Sequence, residues 1–234
     1  MFRSLRVLNR CTAHQRFPRS FAKAVAAKDA SADAALLPEG ELVTTDERLQ
    51  YICDKARAHG TMALDTEFHL EKTYFIHLAL VQVAVDREVF CIDPFEVDTR
   101  PLEDVIADGS VCKLLHAAGM DAKCFHQRSG QAPKNVFDTQ IGGGMLGHGN
   151  SAYGELVEHY AGTKLSKGAT MSDWLKRPLL PAQIRYAEDD VRYLEEVTMM
   201  LLRAAARAAA ARAAAAGADA LLSLSRWARS CRRS

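Results

Sequence analysis

Several absences narrow the class of this chain. None of its six cysteines (Cys11, Cys53, Cys91, Cys112, Cys124, Cys231) stands in a Cys-x-x-Cys pair or at zinc-finger distance from a histidine, so neither a disulfide framework nor a zinc module is expected. Several lie inside apolar runs, as small buried hydrophobes in a reducing compartment do. No stretch of eighteen apolar residues occurs, because Arg203, Arg207 and Arg212 interrupt the one long candidate, and this excludes a membrane-spanning helix. There is no internal repeat. Net charge is almost missing: 30 Lys+Arg against 29 Asp+Glu leave +1 over 234 residues. With 48% apolar residues the chain is able to bury an ordinary core, which argues against overall disorder.

The near-zero sum hides a partition. Residues 1–28 hold seven Lys/Arg and no acid, residues 203–234 hold seven Arg and only Asp219, and 16 basic and 28 acidic residues lie between, giving +7, +6 and −12 respectively. The first segment mixes Arg, Ser and scattered Leu, Val and Phe, the composition of a mitochondrial presequence, so a matrix location is expected. The last segment is Ala-rich with Arg at 203, 207 and 212 and is expected to prolong the final helix; its Arg side chains, with Arg226, Arg229, Arg232 and Arg233, are candidates for phosphate contacts. Residues 40–202 form the expected single folded domain. Its acidic excess reads either as carboxylates collected for divalent cations or as an acidic solvated surface.

Within that domain, Thr44-x-x-Glu47 reads as a capping box opening a helix through Leu49, Ile52, Cys53 and Ala56 that ends at Gly60. A first strand starts at Met62-Ala63-Leu64, a second covers 77–85, and a third, Val89 to Ile92, follows an Asp86-Arg87-Glu88 turn, an antiparallel meander. After Pro101 come a short helix through Leu102, Val105 and Ile106, a strand at 111–115, a helix near 119–128 and a strand at Val136-Phe137. The remainder reads as helical. Strands followed by alternating strands and helices imply an α/β fold, a mixed β-sheet flanked by helices. The run Gly142 to Gly149 is too rich in glycine for a helix and reads as a mobile, substrate-gated loop.

Three places carry candidate chemistry. Asp65-Thr66-Glu67 closes the first strand; alternation puts Asp65 and Glu67 on one face about 7 Å apart, and charges interrupting an apolar strand need compensation. Asp86 and Glu88 share that spacing but fall in a polar turn. Tyr186 and Asp190 are i and i+4 at the start of the long last helix and share a face; Glu188 and Asp189 read as solvent-facing. His116-Ala-Ala-Gly-Met-Asp121 lies where a strand ends and a helix begins, and Asp121 suits either helix-end charge or a ligand. His116 reads as a hydrogen-bonded structural residue, because oxygen-rich Mg²⁺ or Mn²⁺ sites rarely need imidazole.

The ordered set Asp65, Glu67, Asp121, Asp190 with Tyr186 resembles the DEDD exonuclease superfamily, its tyrosine-containing branch, and within it ribonuclease D. Supporting stretches are Ala63-Leu-Asp-Thr-Glu-Phe68, Ile92-Asp-Pro94, Leu115-His-Ala-Ala118, Phe137-Asp-Thr-Gln140, Ser172-Asp-Trp-Leu-x-Arg-Pro-Leu179 and Tyr186-Ala-x-x-Asp-Val-Arg-Tyr-Leu194. The resemblance implies a ribonuclease H-like fold and hydrolysis of single-stranded RNA from its 3′ end by two divalent ions, Mg²⁺ or Mn²⁺. It implies that Asp65, Glu67 and Asp190 hold one ion, that Asp65 bridges to the second with help from Asp121, and that Tyr186 orients the attacking water. Substrate contacts implied alongside are Thr66, Glu67 near the terminal 3′-hydroxyl, Phe68 under the last base, His116, and Arg177 on phosphate; Lys164, Lys167 and Arg185 are weaker phosphate candidates. Asp93, Asp138 and Asp173 read as structural acceptors. Bacterial ribonuclease D carries further helical RNA-binding domains, which the Ala/Arg-rich segment does not resemble. A lone nuclease domain with such ends is similar to the ribonuclease D-like enzymes of kinetoplastid mitochondria, which suggests uridine-rich guide-RNA tails as substrate and an RNA-processing complex as partner. A DNA 3′-5′ exonuclease and a noncatalytic RNA-binding subunit are the alternatives.

Overall fold

The structure, a computed structural model, describes residues 37, 39–70, 75–166, 168 and 172–230, with side chains described as far as 215. The presequence-like segment, Lys167 and residues 231–234 lie outside the described residues. In chain order the elements are β1 (Glu41–Val43), α1 (Asp46–His59), β2 (Thr61–His69), β3 (His77–Val85), β4 (Glu88–Ile92), α2 (Arg100–Ala107), β5 (Cys112–Leu115), α3 (Gly119–Ser129), β6 (Val136–Asp138), α4 (Thr139–Met145), α5 (Tyr153–Ala161), α6 (Pro181–Arg192) and α7 (Leu194–Ser230).

The six strands form one sheet in the order β1-β4-β3-β2-β5-β6. Every neighbouring pair is parallel except the two made by β3, which runs against β2 and β4. This is the mixed α/β sheet expected, with one edge strand more. The β3–β4 link is a two-residue hairpin with both Asp86 (φ 46°) and Arg87 (φ 66°) left-handed, the geometry whose twist matches that of the strands it joins.

Alternation along the strands builds two cores. Met62, Leu64, Val81, Val83, Phe90 and Ile92 point to the face covered by α1, α2 and α3. Ala63, Ala84, Cys112 and Leu114 point to the other, where α5 and α7 bring Leu156, Val157, Leu194, Val197 and Leu201. On that second face Leu80 and Cys91 meet Trp174 and Ala187, which seats α6 across β2, β3 and β4. The four described cysteines are free and buried.

The structure corrects the local reading in five places. The first helix is capped by Thr45, whose side chain accepts from Arg48 N–H, not by Thr44. The described residues between 162 and 180 are largely irregular rather than helical. The glycine run is not a loop at its start, since Gly142, Gly143 and Gly144 lie within α4. A Cβ on Gly142 would sit 3.0 Å from the Phe137 ring and one on Gly143 3.3 Å from Leu156, so the helix needs its glycines to pack this closely. Tyr186 and Asp190 belong to α6, which stops at Tyr193 before α7 restarts, so they do not open the last helix. Glu188 is buried rather than solvent-facing and ion-pairs with Arg192 at 2.8 Å, filling the space that Gly40 leaves open.

Candidate metal centre and active site

β2 does not end at Glu67 but runs on to His69, so Asp65 and Glu67 are mid-strand residues on the face that α6 covers. On α6, Ala187 and Val191 are buried against the sheet, and this seating turns the helix so that Asp190 meets the two strand acids. Ligand oxygens of Asp65, Glu67 and Asp190 all lie within 4.8 Å of one another. Each of the three residues is only partly buried, so one side of the cluster stays open to solvent.

No compensating cation is built in: among the described residues, none of these three carboxylates forms an ion pair with Lys, Arg or His. Burial, then the neighbouring Asp190, Asp121 and Glu67, push the Asp65 carboxyl well above the usual carboxylate range. Burial followed by Asp190 and Asp121 raises Glu67 to about 8, and burial followed by Asp189 raises Asp190 to about 7. Converging oxygen donors, open on one side and without an ion pair among the described residues, fit hard divalent cations such as Mg²⁺ or Mn²⁺.

The same electrostatics predict a pH dependence for the metal-free chain. Folded-state values near 7 and 8 exceed the unfolded carboxyl values near 4, so the native protein keeps protons that the unfolded chain has released. That contribution is complete below about pH 4 and is lost as pH rises toward 8. In chelator, the melting temperature is expected to fall between about pH 5 and 8, and saturating Mn²⁺ to remove the fall, because ligand binding requires and rewards the deprotonated cluster. Calorimetry with and without chelator reads this directly; identical profiles would contradict it.

Asp121 is placed differently. It is buried in the first turn of α3, and the Thr66 hydroxyl, pointing to the opposite face of β2, donates to its Oδ1 at 2.5 Å. Burial raises Asp121 while the Thr66 hydrogen bond lowers it. It stands outside the group of three yet near enough to bear on Asp65 and Glu67. The turn before α3 is held by Asp138, which accepts from Ala117 and Ala118 N–H (3.1 and 3.0 Å) and from the first amides of α4. Ala117 is left-handed (φ 55°), a conformation that a non-glycine residue adopts only when its surroundings impose it.

The other residues singled out from sequence are distributed as follows. Tyr186 shares the Asp190 face of α6, half-buried beside Trp174 at 6.1 Å between ring centroids. Phe68 is partly buried against the α1–α3 core. His116 Nδ1 donates to Thr139 Oγ1 (3.0 Å), whose own proton goes to the Leu115 carbonyl (3.1 Å), and burial holds the imidazole below its ordinary pKa. Arg177 is tied into the protein itself. Its guanidinium donates to both Asp93 oxygens (2.6 and 2.8 Å), to Trp174 O and to Ala79 O, the latter at a bulge where the register of β3 against β2 slips between Glu67 and Phe68. Arg177 therefore fastens the sheet beside Glu67. Asp93, Asp138 and Asp173 act as acceptors for nearby donors. Lys164 and Arg185 are exposed.

Sequence reasoning missed Tyr153. Its hydroxyl accepts from Tyr193 N–H (3.2 Å) at the break between α6 and α7, and lies close enough to Asp190 and Asp65 for both to raise its pKa, behind burial as the main cause. Nothing in its sequence neighbourhood marks it, because the contact spans forty positions.

A family model described as 3′-5′ exonuclease matches residues 41–204. The chain belongs to this exonuclease family. Ribonuclease D of Desulfotalea psychrophila is 37% identical over 169 residues, covering 71% of this chain and 45% of that protein. The crystal structure of Escherichia coli RNase D, described as an exoribonuclease involved in structured RNA processing, matches with a TM-score of 0.67 at 35% identity, over 72% of this chain and 46% of that one. A Trypanosoma brucei RNase D solved in complex with RNA U12 shares the fold, with a TM-score of 0.62 at 21% identity, over 74% of this chain and 65% of that one. The exonuclease chain thus has the ribonuclease H-like fold expected from its motifs. It spans about half the length of the curated relatives it matches.

Proposed function

We propose that this chain is a two-metal-ion 3′-5′ exoribonuclease that hydrolyses single-stranded RNA from its 3′ end and releases nucleoside monophosphates. The observation that carries the reading is the convergence of Asp65, Glu67 and Asp190 to within 4.8 Å, with no ion pair to Lys, Arg or His among the described residues. Bound divalent cations supply a hydroxide-like nucleophile at neutral pH and neutralise charge on the attacking and leaving oxygens of the phosphodiester. Asp65, Glu67 and Asp190 would hold one ion. Asp121, with one oxygen taken by Thr66, would use the other toward the second ion or a water on it.

The chain's own groups then have separable tasks. Tyr186 acts as a donor that orients the attacking water rather than as a base, since a phenol is in general a poor base at neutral pH. Asp138 and Arg177 fix the turn before Asp121 and the bulge beside Glu67, so the acids arrive preorganised. Supporting RNA as substrate is the similarity to ribonuclease D, 37% identical over 169 residues.

The narrower reading places the protein in mitochondria, acting on uridine-rich RNA tails within an RNA-processing complex. It is supported by seven basic residues and no acid in residues 1–28 and by the shared fold with the trypanosome enzyme solved with RNA U12. End-labelled RNA and DNA oligomers ending in each base, incubated with Mg²⁺, Mn²⁺ or chelator, test the activity. Ladders shrinking from the 3′ end of RNA with metal alone are expected; no shortening with either ion ends the nuclease reading, and faster shortening of DNA overturns the RNA assignment. A fluorescent fusion of residues 1–40 that stays outside mitochondria would overturn the location.

A further inference from the structure

Gln82, in the middle of β3, is fully buried, and neither its Nε2 nor its Oε1 has a hydrogen-bond partner. A buried amide idle at both ends is costly, and such groups need a specific explanation. The sheet register supplies one. Gln82 lies directly opposite Asp65 on β2 and opposite Cys91 on β4, on the face that α6 covers. Facing side chains in an antiparallel pair have Cβ atoms roughly 5 Å apart, within reach of a glutamine amide and a carboxylate. Its other neighbour, the Cys91 thiol, is a weak partner.

We propose that Gln82 is a positioning residue for Asp65: its Nε2 donates to the Asp65 carboxylate in the ionised, cation-holding state and fixes which oxygen is turned toward the cations. The inference rests on the reading of Asp65, Glu67 and Asp190 as cation ligands. The residue type suits the task. A lysine here would compete with the cations as a second positive charge, and an apolar side chain would leave the carboxylate free to turn. Glutamine offers a donor without charge. Carboxylate ligands are held in this way by neighbouring donors, and losing such a donor typically weakens metal affinity 10- to 100-fold, by the general behaviour of these supporting hydrogen bonds.

The test is Mn²⁺ binding by the full chain, followed through the loss of the free-ion electron paramagnetic resonance signal, alongside melting in chelator. Gln82→Met keeps the volume and removes the amide. Its Mn²⁺ affinity is expected to drop about 10-fold or more, with a metal-free melting temperature equal to or above that of the unaltered chain, because an idle buried amide has been removed. Gln82→Leu is expected to behave alike and serves should the methionine variant fold poorly. Unchanged Mn²⁺ affinity in a folded variant overturns the proposal, as does a loss of metal-free stability without loss of affinity, which would make Gln82 a packing residue. If the unaltered chain binds no Mn²⁺, the reading of the carboxylates fails and takes this inference with it; if it binds and the variants bind equally, only the role of Gln82 fails.

Discussion

Asp190→Asn is expected to reduce hydrolysis at least about 10³-fold, equivalent to several kcal/mol of lost transition-state stabilisation, while the fold persists. The amide keeps the size of the side chain, so Ala187 and Val191 still seat α6 on the sheet. What it removes is the one charge that reaches the Asp65–Glu67 pair from the helix. Since burial and neighbouring acids oppose ionisation in this cluster, the metal-free variant should melt no lower than the unaltered chain above about pH 7, where Asp190 otherwise carries uncompensated charge. Turnover of labelled RNA, paired with melting curves in chelator, separates the two effects. Near-normal turnover in a folded variant would remove Asp190 from the mechanism.

Tyr186→Phe is expected to slow turnover roughly 10²-fold, the usual worth of a positioned proton-transfer or water-orienting group, with Mn²⁺ affinity unchanged. The ring remains beside Trp174, so stability should hold, and only the hydroxyl is lost. A loss confined to kcat with metal binding intact identifies a group that acts on the nucleophile. Equal weakening of metal binding would instead place the phenol among the groups that shape the cluster.

The proposed catalytic set was legible in part because local periodicity carries it. A strand alternates with period two, which put Asp65 and Glu67 on one face, and a helix returns after four residues, which aligned Tyr186 with Asp190. The resemblance to ribonuclease D then joined segments that periodicity could not join. What stayed hidden was fixed by contacts distant in sequence. β1 has only Val43 buried among its three residues, too short to show any period. The break at Tyr193 is invisible because Val191, Leu194 and Val197 keep helical spacing straight through it, while the Tyr153 hydroxyl that takes the Tyr193 amide comes from α5. Glycine propensity argued against α4, but the closeness of Phe137 and Leu156 overrode it. The internal ties of Arg177 were hidden likewise, since its partner Asp93 lies 84 positions away.

The placement of two acids at opposite helix ends has a further meaning. Asp121 occupies the opening turn of α3, whereas Asp190 occupies the closing turn of α6. Aligned peptide dipoles make the first location hospitable to a negative group and the second hostile to one, each by up to about 1 kcal/mol. The centre is thus fed from a positive pole and a negative pole at once, and the helix that carries Asp190 cannot offset the charge it delivers. A bound cation would offset that charge, so appetite for a cation is written into the direction in which α6 runs.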